Sequence, residues 1–388
     1  MSHEILTLNK ISPIGLSRLE SRGYICGDDV KEPEAVLVRS ASMHDMELPA
    51  SVQAIARAGA GVNNIPVDAC GEKGIVVFNT PGANANAVKE LVLTGLLLSS
   101  RKVVDAIEWV KTVKDEPELS KLIEKGKSKF AGPEILGKKL GVIGLGAIGA
   151  LVANSASALG MEVIGYDPFL SVKAALSLSP NVSFTDNLKD VFSSCDYITV
   201  HVPLLDSTKG MISKESLSSM KDGVRIMNFS RGGLVCDDDL LEAIENGKVA
   251  CYVTDFPSGK LIGKDGIVAI PHLGASTPES EENCAVMAAD EISDYLENGN
   301  ITHSVNLPDL SAARSADCRV CVIHKNLPDA TAKITAALSG AGFATSAFLS
   351  RSKKDLAYTI ADIDLGGRDA DFSALIGEID GIIKVRVI

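Results

Sequence analysis

Residues 138–168 limit the possible folds of this chain more than any other part of its sequence. Two short apolar runs flank a glycine-rich turn and a proline-free segment that is rich in alanine and leucine. Apolar runs of this length are typical of buried parallel strands, and the segment between them has the composition of a helix. In order, these features are a strand at 140–143, a turn with Gly144, Gly146 and Gly149, a helix at 147–159, and a strand at 163–166 that ends at Asp167.

The three glycines have the G-x-G-x-x-G spacing, and each has a separate mechanical task. Gly144 permits the tight turn from strand to helix, Gly146 leaves space for a pyrophosphate, and Gly149 lets the helix pack closely on the strand. The backbone N–H groups at the start of the helix, at Ala147 and Ile148, are then expected to face the phosphates. The pattern predicts a dinucleotide site, and a purely structural glycine turn is the alternative.

Asp167 lies 18 residues after Gly149, at the end of the second strand. A carboxylate there can accept hydrogen bonds from both ribose hydroxyls. Residues 168–170 are Pro, Phe and Leu, so no neighbouring cation is available for a 2′-phosphate. The sequence therefore favours NAD over NADP as the cofactor.

Composition narrows the class of partner. The 388 residues carry a formal net charge of −12 and are 46% hydrophobic, which is the balance of a globular protein of two or three domains. So acidic a chain is a poor candidate for binding nucleic acid or an anionic membrane, whereas a local basic pocket still permits a small anionic substrate.

Targeting and cysteine patterns point to a cytoplasmic protein. No apolar stretch reaches the length of a membrane span, and the N-terminus lacks the pattern of a secretory signal. Eight cysteines are scattered along the chain. The close pair, Cys318 and Cys321, lies in a strand-like run where residues three apart point to opposite faces. We therefore expect reduced thiols rather than a metal or redox site.

Short strands and helices alternate over the first part of the chain, which predicts a parallel sheet with helices on its faces. Arg39 and Ser40 follow one strand, and Gly/Asn-rich loops at 59–64 and 79–84 follow two others. Binding residues of such sheets lie beyond the carboxyl ends of the strands. Exposed backbone N–H groups and an arginine suit an anion, so we expect an acidic substrate here. A surface salt bridge is the alternative for Arg39.

Residues 86–105 predict one long helix, apolar on most faces and buried at a domain junction. After Asp167 the alternation of strands and helices continues to a long helix at 279–296. The acidic run at 237–239 begins a helix, where negative charge is stabilised, so we interpret it as a helix start rather than a metal site.

Three polar residues follow strands of the glycine-rich domain and should share one rim of its crevice: Arg231, Asp255 and His272. Hydride transfer from an alcohol carbon requires a base for the hydroxyl proton, and histidine serves near neutral pH. It also requires a cation for the substrate carboxylate, which arginine binds bidentately. We interpret His272 as the base and Arg231 as the carboxylate ligand. A packed histidine without a catalytic role is the alternative for His272.

Beyond a connector at 306–317, the pattern changes to β-α-β-β-α-β, the ferredoxin-like order. The predicted strands are 319–323, 344–350, 356–362 and 382–387, and the predicted helices are 328–340 and 371–379.

Many short motifs now carry a resemblance to the D-isomer-specific 2-hydroxyacid dehydrogenases, over roughly the first 310 residues. In chain order they are VRS at 38–40, GAGVNNI at 59–65, FNTPGANANAVKE at 78–90, GLGAIG at 144–149, YDP at 166–168, HVPL at 201–204, NFSRGGLV at 228–235, TDFP at 254–257 and PHLGAST at 271–277.

The resemblance implies an α/β fold in which a Rossmann-type, doubly wound dinucleotide domain is inserted in a flavodoxin-like α/β substrate domain. The substrate domain would comprise 1–98 and 295–310, and the NAD-binding domain 99–294. Residues 317–388 resemble a ferredoxin-like ACT regulatory domain, with HKNLPDATAKI at 324–334 as its ligand loop.

The resemblance also implies roles for individual residues. His272 would be the acid/base and Arg231 the ligand of the substrate carboxylate. Substrate contacts would come from Arg39, Ser40, Gly61, Val62 and Asn84. Asp255 would hold the nicotinamide carboxamide, and the other cofactor contacts would be Gly144, Gly146, Ala147, Ile148, Gly149, Asp167, His201, Val202, Pro203, Thr208, Phe229, Ser230, Arg231, Gly274 and Ala275.

The implied reaction is NAD-dependent oxidation of 3-phospho-D-glycerate to 3-phosphohydroxypyruvate, the first step of phosphorylated L-serine biosynthesis. The ACT-like tail and Arg39 favour this phosphorylated substrate. Another D-2-hydroxyacid dehydrogenase, such as a glyoxylate or hydroxypyruvate reductase, is the close alternative. A non-enzymatic NAD(H)-sensing scaffold is the alternative from another class. A homodimer or homotetramer, with no nucleic-acid or membrane partner, is expected.

Two departures from the family pattern matter. The glutamate that normally pairs with the catalytic histidine is absent after the TDFP motif, where residues 257–260 are Pro, Ser, Gly and Lys. We therefore expect an acid/base histidine of lowered pKa, unless Asp255 or Asp265 takes the place of that glutamate. In the ACT-like segment, Asp329 and Ala344 stand where glycine and asparagine are usual, which weighs against an amino-acid effector such as L-serine.

Overall fold

The computed structural model describes residues 3–388, apart from the side chain of Lys173. The chain forms two compact units, Met1–Asn84 with Pro278–Ile388, and Ala85–Thr277. The domain boundaries predicted at 98 and 294 lie inside helices, and they remain predictions.

The first unit begins with a five-stranded parallel sheet of order β2-β1-β3-β4-β5. Its strands are β1 (Glu4–Leu8), β2 (Ile25–Gly27), β3 (Ala35–Val38), β4 (Ala54–Arg57) and β5 (Val76–Asn79), with helices α1 (Pro13–Glu20) and α2 (Val67–Glu72). The apolar run of β3 is buried along its whole length, as expected of a central parallel strand. The strand order is flavodoxin-like, as the resemblance implied.

The second unit begins with α3 (Ala85–Arg101), α4 (Val103–Thr112) and α5 (Leu119–Gly126), followed by a 3₁₀ turn at Lys127–Phe130. The prediction of one helix over 86–105 is wrong, because Lys102 has a left-handed backbone with φ of +46°. That conformation interrupts the helix, so α3 ends at Arg101 and α4 begins at Val103. The helix α3 buries Val88, Val92 and Leu96 in the core of this unit.

A seven-stranded parallel sheet of order β12-β11-β10-β9-β6-β7-β8 forms the rest of the second unit. Its strands are β6 (Lys139–Ile143), β7 (Glu162–Tyr166), β8 (Val182–Thr185), β9 (Tyr197–Val200), β10 (Val224–Asn228), β11 (Val249–Thr254) and β12 (Ile267–Ala269). Its helices are α6 (Ala147–Ala158), α7 (Val172–Ser177), α8 (Leu188–Ser194), α9 (Lys214–Ser219) and α10 (Asp237–Glu245). In local numbering the order is 7-6-5-4-1-2-3, the doubly wound Rossmann order with one added strand, so that prediction is confirmed.

The helix α11 (Pro278–Asn298) returns the chain to the first unit and lies against α1. The approach is close, because a Cβ placed on Gly15 of α1 would lie 2.6 Å from the Cβ of Ala285. Apolar residues of α11, among them Ile292 and Tyr295, join the core beneath the first sheet.

The chain ends in a four-stranded antiparallel sheet of order β14-β15-β13-β16, which we call the C-terminal sheet. Its elements are β13 (Cys318–Lys325), α12 (Ala330–Gly340), β14 (Ala344–Lys353), β15 (Leu356–Asp364), α13 (Phe372–Gly377) and β16 (Ile382–Val387). This order confirms the ferredoxin-like topology. One face of the sheet packs on α12 and α13, and the other contributes Cys321, Ile323, Tyr358 and Ile360 to the core that contains Tyr295.

Between residues 3 and 388 no helix is long and apolar enough to cross a membrane.

Candidate active site

The glycine turn after β6 has the geometry that its sequence predicts. Gly144 has φ of +91°, and a Cβ there would lie 2.4 Å from the carbonyl oxygen of His201. A Cβ on Gly149 would lie 1.8 Å from the carbonyl oxygen of Gly144, so only glycine lets α6 start this close to β6. A Cβ on Gly146, in contrast, would have nothing within 4 Å, which leaves open space beside the N-terminus of α6. This cradle fits a pyrophosphate.

Asp167 follows β7 and contacts the same turn. Its Oδ2 accepts a hydrogen bond of 2.9 Å from the N–H of Leu145, and its Oδ1 accepts one of 2.9 Å from the N–H of Phe169. Each oxygen retains acceptor capacity, since a carboxylate oxygen has two lone pairs. The carboxylate is therefore held beside the glycine turn and keeps acceptor capacity for a further hydrogen bond.

The end of β9 places His201 behind the glycine turn. Its Nε2 lies 2.9 Å from the hydroxyl of Thr199, while Nδ1 is buried and has no hydrogen-bond partner within residues 3–388. Burial lowers the pKa of His201 to about 4, so the ring is neutral at physiological pH. A buried ring nitrogen without a partner suits a polar ligand atom.

Thr208 closes the loop that follows β9. Its hydroxyl donates to the carbonyl of Pro203 at 2.6 Å and accepts from the N–H of Leu205 at 2.8 Å. These bonds shape the segment predicted to border the adenosine, which also includes Val202.

The predicted residues after β10 differ in their surroundings. Phe229 is 5% exposed and packs against Gly95 of α3, where a Cβ would lie 2.7 Å from the ring. Its side chain therefore serves the core, and only its backbone is left for a cofactor contact. The Ser230 hydroxyl donates to the carbonyl of Val200 at 2.6 Å. Arg231 is exposed and donates to the carbonyl of Ser230 at 2.7 Å.

The ring of Phe256 lies close to both predicted catalytic residues, His272 and Arg231. Its ring centroid lies 4.4 Å from that of His272 and 5.9 Å from the guanidinium carbon of Arg231. Phe256 is not among the residues predicted from the sequence, although an aromatic residue directly after Asp255 was a usable signal. The structure thus brings Arg231 and His272 together around a single aromatic ring in this unit.

Asp255 supports the loop that carries His272. It is 1% exposed, and its Oδ2 accepts from the N–H of Gly274 at 3.1 Å, next to Ala275. Its Oδ1 is buried without a partner among residues 3–388. Burial raises the pKa of the Asp255 carboxyl, against the opposing effects of the Gly274 N–H and the His272 ring. Asp255, one of the two acids considered as substitutes for the missing glutamate, therefore interacts electrostatically with His272.

The first unit holds its own cluster of predicted residues at the carboxyl ends of β3, β4 and β5. Arg39 follows β3, and its Nη2 forms an ion pair of 2.7 Å with Glu281 of α11. Ser40 donates its N–H to the side chain of Asn9 at 3.1 Å. Gly61, Val62 and Asn84 are all partly exposed in loops beyond β4 and β5.

Arg57 was not predicted from the sequence, yet it ends β4 beside Arg39. Its Nε donates to the carbonyl of Arg39 at 3.0 Å, and its guanidinium occupies the space that a Cβ on Gly59 would need, 1.9 Å from Nη1. Val38 and Arg57 are register partners, so the two arginines end adjacent strands. The signal was available, because both strands are apolar runs that end on arginine.

Comparison with known proteins agrees with these observations. Residues 93–274 match the model of the D-isomer specific 2-hydroxyacid dehydrogenase NAD binding domain. The chain is 37% identical over 292 residues to D-3-phosphoglycerate dehydrogenase of Archaeoglobus fulgidus, covering 73% of this chain and 53% of that protein. It is 33% identical over 322 residues to the Bacillus subtilis enzyme of the same name, covering 78% and 59%.

A solved structure supports the same assignment. The NAD⁺-bound 3-phosphoglycerate dehydrogenase of Entamoeba histolytica superposes with a TM-score of 0.61 and 26% identity, covering 80% of this chain and all of that one. The chain spans little more than half the length of the two curated relatives. The fold, the matched segment and these similarities together identify residues 93–274, within the second unit, as an NAD-binding domain of the D-isomer-specific 2-hydroxyacid dehydrogenase family.

Proposed function

We propose that this protein oxidises 3-phospho-D-glycerate to 3-phosphohydroxypyruvate with NAD, the first step of phosphorylated L-serine biosynthesis. The observation that carries the proposal is the grouping of Arg231 and His272 around Phe256, beside the buried carboxyl of Asp255. The names of the relatives and the paired arginines after β3 and β4 support a phosphorylated substrate.

Each group has a task that its chemistry suits. His272 takes the proton of the substrate hydroxyl, and Arg231 holds the carboxylate next to the reacting carbon. Bound NAD supplies the hydride acceptor, held by the glycine turn, Asp167 and the residues that follow β9.

For the phosphate group of the substrate we propose the residues predicted in the first unit. Arg39, with Ser40 and Asn84, binds the phosphate, and the loop N–H groups of Gly61 and Val62 add hydrogen bonds. We add Arg57 to this set because it ends the strand next to Arg39.

Absorbance of NADH at increasing 3-phosphoglycerate concentration tests the activity. His272→Gln keeps the size and polarity of the side chain but removes the base, so kcat should fall at least about 100-fold while NAD affinity stays unchanged. His3→Gln, at a surface ion pair with Glu34, is the matched control and should behave as wild type. An unchanged kcat in His272→Gln would refute the assignment of the base.

A substrate panel separates the alternatives. Turnover of glyoxylate or hydroxypyruvate with NADH, without turnover of 3-phosphoglycerate, would favour the reductase. NAD binding without turnover of any 2-hydroxy acid would favour the sensing scaffold.

We further propose a homodimer, with a homotetramer as its larger form. Support comes from α4, whose apolar side chains Val103, Ile107 and Val110 are 42%, 51% and 43% exposed. Apolar helix faces of this kind are typical of subunit contacts. Light scattering on the wild type and on Ile107→Lys should show a dimer and a monomer respectively.

Two smaller proposals concern location and regulation. We place the protein in the reducing cytoplasm, a location supported by its eight free cysteines. Asp329 stands where the related domains usually have glycine, and it forms an ion pair of 2.7 Å with Lys333 at the start of α12. We therefore expect L-serine to leave the rate unchanged.

A further inference from the structure

The carboxylate of Glu281 faces one of the residues proposed to bind the phosphate of the substrate. Its Oε1 lies 2.7 Å from Nη2 of Arg39, and the two side chains are 41% and 36% exposed. Glu281 lies in the first turn of α11, where the helix dipole favours a negative charge without help from Arg39. The acid is thus anchored by its own helix rather than by the pair alone.

The neighbouring arginine is held differently. Arg57 donates Nε to the carbonyl oxygen of Arg39 at 3.0 Å and lies over Gly59. The strand ends therefore bring two guanidinium groups close together, and the carboxylate of Glu281 pairs with that of Arg39. An anion that binds here meets Arg39, whose charge is already partly compensated by Glu281.

The electrostatic consequence depends on the charge of the ligand. A phosphate dianion is attracted by both arginines and repelled by Glu281, in proportion to its two charges. A substrate with a hydroxymethyl group at the same end feels neither effect. The carboxylate of Glu281 therefore lowers the affinity for a phosphorylated substrate and leaves the affinity for an unphosphorylated substrate unchanged.

Resting on the function proposed above, we propose that Glu281 is a specificity-determining residue, which through Arg39 limits how strongly the chain prefers a phosphorylated over an unphosphorylated D-2-hydroxy acid. It is a positioning residue, since it acts on Arg39 and not on the reacting atoms. Its presence also eases release of a phosphorylated product, whose distal end is the same.

The test compares kcat/KM for 3-phosphoglycerate and for D-glycerate in wild type and in Glu281→Gln. The glutamine keeps a hydrogen-bond acceptor for Arg39 but removes the charge. Because exposed ion pairs interact weakly, the ratio of the two values should rise only about two- to fivefold. The rise should appear in KM for 3-phosphoglycerate and shrink at high salt.

Glu279→Gln is the matched control, because Glu279 lies in the same first turn and makes no ion pair among residues 3–388. Glu281→Ala, without any acceptor, should raise the ratio in the same direction. A ratio that stays constant or falls in Glu281→Gln, or rises equally in Glu279→Gln, would overturn the proposal.

A binding measurement separates this proposal from the proposed reaction. If the wild type oxidises neither compound, the reaction assignment fails, and calorimetric titration with inorganic phosphate still examines the pair. Tighter binding of phosphate by Glu281→Gln than by wild type and Glu279→Gln supports the role of Glu281, and equal binding in all three refutes it.

Discussion

Replacement of Asp362 by asparagine should destabilise the first unit strongly, because it breaks a fully buried ion pair. The side chains of Asp362 and Arg319 are both 0% exposed. Nε of Arg319 donates to Oδ1 at 2.6 Å and Nη2 to Oδ2 at 2.9 Å, a bidentate pair between β13 and β15. The remaining nitrogen, Nη1, donates to the carbonyls of Asn298 and Ala312 at 2.8 and 3.0 Å.

The magnitude follows from what the substitution leaves behind. Removing one partner of a buried pair strands the other charge, which costs about 3–5 kcal/mol. Asparagine retains one acceptor, so we expect about 3 kcal/mol. For a unit of this size, each kcal/mol shifts Tm by about 2–4 °C, so Tm should fall by about 6–12 °C in scanning calorimetry.

Two variants make the reasoning refutable. Asp238→Asn breaks the ion pair between Asp238 and Lys260, whose side chains are 71% and 60% exposed, and should lower Tm far less than Asp362→Asn does. The double variant Arg319→Met with Asp362→Leu leaves no buried charge and should recover most of the loss. A loss below about 1 kcal/mol in Asp362→Asn, or a double variant less stable than the single one, would refute the argument.

Three further outcomes are expected. Burial opposes ionisation of Asp362, but its hydrogen bonds with Arg319 prevail and lower its pKa, so the wild type should lose the stabilisation by this pair as pH falls through the lowered pKa. In urea titrations at about pH 2–5, Asp362→Asn should lack this acid-induced loss, and an equal loss in both proteins would contradict the argument. Burial raises the pKa of Glu291 to about 9, so the free energy of unfolding should fall as pH rises from about 4.5 to 9. Glu291→Gln should therefore have a higher Tm than wild type at about pH 8 but not at about pH 4, and an equal difference in Tm at the two pH values would count against this reasoning. Gly146→Ala should keep the wild-type Tm but weaken NAD binding about tenfold in calorimetric titrations, whereas Gly149→Ala should lower Tm as well. An equal Tm for the two variants would disprove the steric distinction between them.

The sequence specified the two parallel sheets and the ferredoxin-like order because each rests on local apolar patterns. The glycine turn was predictable for a related reason, since Gly144 and Gly149 meet steric limits that are set within a few residues. The break at Lys102 was not, because a single left-handed residue leaves the hydrophobic pattern of a helix intact.

The candidate site was predictable as a set of strand ends but not as a set of contacts. The sequence places His272 and Arg231 after strands, yet their common neighbour Phe256 depends on loop conformation. The pairing of Arg39 with Glu281 joins residues 242 positions apart, and no local pattern reports it. The roles assigned to these residues remain predictions until the variants are measured.

The apolar contact between the C-terminal sheet and α11 restricts how this segment can be inherited. Tyr358 donates its hydroxyl to the carbonyl of Gly299 at 2.6 Å, and Arg386 lies 4.3 Å over the ring of Tyr295. A recombination point in the connector before β13 would exchange one half of this contact without the other, and would leave apolar side chains facing water. Domain shuffling at this point should therefore succeed only when α11 is exchanged together with the sheet, so that the two evolve as one block.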